Sequence, residues 1–160
     1  MTFDNSKTII SLRIKLFGAT VLLLGYLAIA YVAKLIKFPF LGFNESFWTV
    51  ILIGVWVILA LIPIVLNYQF ISYSDEGDYL IFRYFTAGIA GGRKNSVEIN
   101  KTTFSGYKIE TRFFGFIQSI TLFQKVQGGI ANYPPVYISA LTRTEKEKVI
   151  KSLNGLTPAV

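Results

Sequence analysis

The sequence predicts a membrane α-helical hairpin followed by an all-β domain that a single C-terminal helix closes. Three observations carry this prediction: two uncharged apolar runs near the start, a change to alternating apolar and polar residues from Asn67 onward, and a capped amphipathic pattern at the end.

The first run, Leu16 to Ala33, has 18 residues and the second, Ser46 to Leu66, has 21. At a rise of about 1.5 Å per residue, each is long enough to cross a hydrocarbon core of roughly 30 Å. A cleavable signal peptide competes for the first run, because Lys7, Arg13 and Lys15 precede it. A signal's apolar core is about 7 to 15 residues and ends at a small-residue site, whereas this run is longer and is followed by Lys34 and Lys37. Two helices apolar on every side would also need a large protein to bury them, and only about 90 residues remain. The expected layout is a tail over 1–15, a first transmembrane helix over 16–36, a loop over 37–45, a second helix over 46–66 and a β-domain over 67–160.

The short connection reads KLIKFPFLGFNE, so the helices are antiparallel and both termini lie on one side. Phe38, Phe40, Phe43 and Trp48 suit an aromatic belt at the headgroup level. Lys7, Arg13 and Lys15 on the terminal side, with Arg83 further on, outnumber Lys34 and Lys37 in the loop, which orients both termini to the cytoplasm of a cell membrane. Neither apolar run, Leu16 to Ala33 or Ser46 to Leu66, holds an Asp, Glu, Lys, Arg or His, and that argues against an ion or proton pathway. Gly18, Gly25 and Ala28 form a small-residue stripe against which the second helix, with Gly54, is expected to pack; a homodimer contact is the alternative. Pro63 is expected to kink or end the second helix.

In the β-domain, Tyr68 to Tyr73 and Tyr79 to Thr86 form a hairpin around Asp75-Glu76-Gly77-Asp78, and Arg93 to Ile99 supplies a further strand. Tyr107, Ile109, Thr111 and Phe113 alternate with Lys108, Glu110 and Arg112, so one face is expected to be buried and one wet. After a turn at Gly115, Phe116 to Lys125 is its partner strand. Gly128-Gly129 turns the chain into Ile130 to Tyr133, and Pro134-Pro135 confines Val136 to Ser139 to an edge or corner. Thr142 with Glu145 is a capping box that starts a helix over 142–154, Val149, Ile150 and Leu153 form its apolar stripe, and Gly155 is expected just past its end. About seven strands and one helix suit a small barrel or sandwich plugged by the helix.

Two membrane helices, seven short strands and a terminal helix resemble the bacterial membrane-anchored pleckstrin-homology-like domain proteins. The stretch YPPVYISAL, Tyr133 to Leu141, leading into a Lys/Glu-rich helix is similar to the tail of such proteins. The resemblance implies a β-barrel of two nearly orthogonal sheets with the helix over one end, used for membrane-proximal binding, with no catalytic residues to carry over. Lipid-binding members of the eukaryotic fold place Lys and Arg around the first strand-to-strand loop. Here that loop holds Asp75, Glu76 and Asp78, which argues against a phosphoinositide site there.

The chain has no Cys and no His, which removes thiol chemistry, His-based acid–base work and nearly all zinc or haem sites. Asp75, Glu76 and Asp78 lack the spacing of a calcium loop, and Gly88 to Lys94 lacks the ending and helix of a phosphate loop, so no metal or cofactor is expected. The net charge of +7 raises the question of nucleic acid. The part after the spans carries eleven Lys and Arg against seven Asp and Glu, a net of +4, which suits anionic lipid and argues against nucleic acid as a partner.

One segment departs from turn chemistry. Arg112-Phe113-Phe114-Gly115-Phe116-Ile117 crowds large apolar side chains where a turn is normally polar. Packing beneath the terminal helix is the plainer expectation. The sharper one is that Phe114 and Phe116 touch the bilayer or a protein partner, with Lys108 and Arg112 at headgroup level. The functional expectation is a non-enzymatic membrane-anchored binding module; the alternative is an accessory subunit that packs on a larger membrane complex through its hairpin.

Overall fold

The computed structural model describes residues 1–87 and 92–156. The chain divides into two units, Ile10–Pro63 and a second composed of Met1–Ile9 with Ile64–Val160.

The second unit holds two antiparallel sheets. In the first, β1 (Thr2–Asp4), β2 (Gln69–Ser74), β3 (Tyr79–Thr86) and β4 (Asn95–Asn100) lie in chain order. In the second, β5 (Phe104–Arg112) pairs with β6 (Ile117–Val126), and β6 also pairs with β7 (Gly129–Asn132) and with the short β8 (Val136–Tyr137). The strands form because branched and aromatic residues alternate along them: in β3, Leu80, Phe82 and Tyr84 are buried while Tyr79, Arg83 and Thr86 face out. Both sheets contribute to one core, with Ile71, Phe82 and Ile99 from the first and Phe104, Ile120 and Leu122 from the second.

The terminal helix α3 (Arg143–Leu156) closes this core with Val149 and Leu153. Its start is the expected capping box: the Thr142 N–H donates to the Glu145 carboxylate at 2.7 Å, and the Glu145 N–H donates to Thr142 Oγ1 at 3.3 Å. Gly155 does not stand past the end but lies inside the last turn.

The barrel expectation is corrected. Among the described residues, no pairing joins the first sheet to the second, so the arrangement is two sheets around one core and not a closed barrel.

The expected tail over 1–15 is absent as such. Thr2–Asp4 pairs antiparallel with Ser72–Ser74 of β2, and α1 (Ser6–Leu27) starts at once after it. Asn5 makes the joint. Its backbone N–H donates to the Ile71 carbonyl at 3.2 Å, its amide Nδ2 donates to the Gln69 carbonyl at 2.9 Å, and its Oδ1 accepts from the Ile71 N–H at 2.8 Å. Its own carbonyl accepts from Ile9 N–H, the first turn of α1. One fully buried residue therefore extends the sheet with its side chain and opens a helix with its backbone. β2 follows α2 (Glu45–Val65) after three residues, so the two helices are inserted, in chain order, between two paired strands.

In the first unit, α1 runs into a π-helical turn over Ala28–Val32. Phe40 and Phe43 then pair across a tight turn in which Leu41 (φ 52°) and Gly42 (φ 82°) are left-handed. Asn44 caps α2 by accepting the Phe47 N–H at 3.0 Å, and Pro63 lies just before the end of that helix.

The expected small-residue packing is not found. A Cβ at Gly18, Gly25 or Gly54 would meet nothing within 4 Å. The helices are bridged by polar side chains instead: Trp56 Nε1 donates to Thr20 Oγ1 at 2.9 Å, and the Tyr26 and Tyr31 hydroxyls lie 3.2 and 2.8 Å from Thr49 Oγ1.

Candidate functional site

The candidate site is the outer end of the β5–β6 hairpin. Gly106, at φ 138°, sits at the shift of register where β5 leaves Phe104, and from there the pairing runs regularly to Arg112 opposite Ile117. The Phe116 N–H donates to the Phe113 carbonyl at 3.1 Å and closes a four-residue turn. Its central residues, Phe114 and Gly115, have φ of 53° and 95°, and Phe113 is also left-handed at 52°. Two positive φ values at the centre describe the turn that hairpins favour and that Asn-Gly usually fills.

Phe occupies the Asn position, and its ring does not pack on the core. Phe114 is 97% exposed, Phe113 63% and Phe116 60%. The expectation that this segment packs beneath the terminal helix is thereby overturned. The rings touch only at the margins of one another, with centroids 6.1 Å apart for Phe113 and Phe114 and 6.5 Å for Phe113 and Phe116.

The expected buried face of this strand also shortens. Phe104 is buried and Tyr107 is packed against the core, but Ile109, Thr111 and Phe113 are exposed, because the hairpin projects past the core. The alternation read from the sequence is real as backbone geometry, yet it continues beyond the reach of anything to pack on.

Lys108 and Arg112 stand at the base of the tip on the polar face. Both bind Glu110, the Lys108 ammonium at 3.1 Å and an Arg112 guanidinium nitrogen at 2.9 Å. Their hydrogen bonds and charges hold the Glu110 carboxyl below its ordinary range. The face therefore presents a net of one positive charge, and the spacing Lys-x-Glu-x-Arg, which places all three side chains on one side of a strand, was the available signal. The structure thus brings Lys108, Arg112, Phe114 and Phe116 to one end of one hairpin, and adds Phe113 to them.

A second cluster surrounds the acidic turn. The Asp75 carboxylate accepts from the Met1 amino group and from the Ser152 hydroxyl, and Tyr73 OH donates to Ser152 Oγ at 2.6 Å. The Lys101 ammonium donates to the Asp75 carbonyl. Burial pushes Tyr73 up to about 12, against the hydrogen bond to Ser152 and with help from the Asp75 charge. Burial also pushes the Asp75 carboxyl up, but the hydrogen bonds from the amino group and Ser152 and the nearby positive charges outweigh it and hold the group below its ordinary range. These contacts tie the first hairpin to α3. Of the glycine-rich segment from Gly88 to Lys94, residues 88–91 lie outside the described residues.

No protein-family model, no curated protein and no solved structure matches the chain.

Proposed function

We propose that the protein is a non-enzymatic membrane-anchored module in which the helical hairpin holds a pleckstrin-homology-like β-domain at the cytoplasmic face of a cell membrane. The observation that carries this reading is the pairing of β1 with β2 around the two helices. α1 together with its π-helical turn, Ser6–Val32, and α2, Glu45–Val65, are long and apolar enough to cross a membrane, with mean hydropathy of 1.8 and 2.7 over a window of 18 residues. Only 6% of each window is buried, whereas a core helix of a soluble protein is mostly covered.

In such a membrane β1 and β2 share one side, because they are hydrogen-bonded to each other. Cleavage after the first span would remove β1 and Asn5 from the sheet, which supports a retained helix over a signal peptide. Two sheets and a helix around one core support the pleckstrin-homology-like reading. The lack of His and Cys supports a binding role over catalysis.

The chain's freedom from Cys makes the test direct. Leu41→Cys and Glu76→Cys are each expressed in the full chain and treated with a membrane-impermeant maleimide in intact spheroplasts. Position 41 is expected to label at once and position 76 only after lysis. Labelling of both without lysis, or release of the chain by alkaline carbonate, overturns the reading.

The accessory-subunit reading rests on a different observation, the open faces of Gly18, Gly25 and Gly54. It expects one stoichiometric membrane protein to co-purify in mild detergent and to crosslink through that stripe.

A further inference from the structure

We propose that the Phe113–Phe116 turn is a bilayer wedge, whose rings enter the boundary between headgroups and acyl chains of the membrane that the helices cross. The proposal rests on the membrane-anchored reading above and names the ligand of its β-domain: a lipid surface bearing anionic headgroups.

The first argument is local. A left-handed backbone is unfavourable for an L-residue other than Gly, and the turn places both Phe113 and Phe114 there. The second is solvation. Removing a Phe side chain from water is favourable, and the fold leaves three of them uncovered at one hairpin tip. Folding of the domain recovers neither cost, whereas removal of the rings from water by lipid recovers the second.

A lipid occupant is favoured by three further observations. The tip projects past the core, with residues 111–116 all exposed, so it is free to enter a deformable surface. Lys108 and Arg112 at its base outweigh Glu110 by one charge, which complements anionic headgroups. The domain is joined to α2 by the three residues between Val65 and Gln69, so the bilayer is always at hand.

The test uses the full chain with single cysteines carrying a nitroxide, in nanodiscs of phosphatidylcholine with or without phosphatidylglycerol. Labels at Phe114→Cys and, with Phe114 intact, at Phe116→Cys are compared with Ser96→Cys on β4 and Leu22→Cys in α1. Oxygen partitions into acyl chains and a nickel chelate stays in water. The expected result is an oxygen-to-nickel accessibility ratio several-fold higher at 114 and 116 than at 96, rising further with phosphatidylglycerol, while 22 reads as acyl chain. A second substitution, Phe114→Asn, is expected to lower the ratio at 116 towards that at 96. If 114 and 116 match 96 while 22 reads as acyl chain, the wedge is overturned and the anchored module stands. If 22 also reads as water, the membrane reading fails and the wedge with it. Shielding of 114 from both reagents in native membranes only would assign the tip to a protein partner and overturn the proposal.

Discussion

Asn5 and Phe114 are inverted cases in one β-unit. Asn5 is a polar side chain with no exposed surface, and Phe114 is an apolar one with almost nothing covering it. Asn5 is tolerated because its side-chain amide meets a backbone carbonyl and a backbone N–H at 2.9 and 2.8 Å, so nothing polar is buried without a partner. Phe114 has no such compensation within the domain. A residue that breaks the burial rule and is satisfied is explained by the fold, and one that breaks it and is not satisfied directs attention outside the fold.

The largest expected effect follows from breaking the satisfied case. Asn5→Ala strands the buried Ile71 N–H and the half-buried Gln69 carbonyl, and the full chain in detergent is expected to lose about 2 to 4 kcal/mol in denaturant unfolding. Asn5→Asp keeps the acceptor but loses the donor and buries a charge, so it is not expected to rescue. A smaller loss, about 1 to 2 kcal/mol, is expected for Ser152→Ala, which leaves Tyr73 OH and Asp75 without their shared partner.

Phe114 should respond with the opposite sign. Phe114→Asn restores the favoured Asn-Gly turn and is expected to raise stability by about 0.5 to 1 kcal/mol in the same assay. A loss of stability would mean that the ring is covered, by the domain or by the detergent, and a loss that persists when the detergent is changed would place the cover within the domain and remove the contrast with Asn5.

The least effect is in pH. Asp75 is held below its ordinary range in the fold, so its contribution is present above the unfolded carboxylate pKa of about 3.9 and is lost as pH falls through the folded value. The thermal midpoint should fall below about pH 4, and Asp75→Asn should flatten part of that fall.

The strands after Asn67 were legible because alternation reports directly on a sheet with one covered face, and the capping box at Thr142 because its chemistry is local. β1 was not. Three residues carry no measurable period, and the pairing that makes Thr2–Asp4 a strand is with residues some seventy positions away. The tip was legible as an anomaly in composition, but its exposure was not, since alternation gives the sides of a strand and says nothing of where the core ends. The Gly18 and Gly25 stripe misled for the related reason that small residues permit close approach without requiring it.

The insertion of both helices between β1 and β2 also sets an order of events. During synthesis Thr2–Asp4 leaves the ribosome before either helix exists, yet its partner Ser72–Ser74 is made only after both are complete. Thr2–Asp4 therefore waits through the making of both helices, and the sheet edge at β1 can close only on a chain in which both have been made.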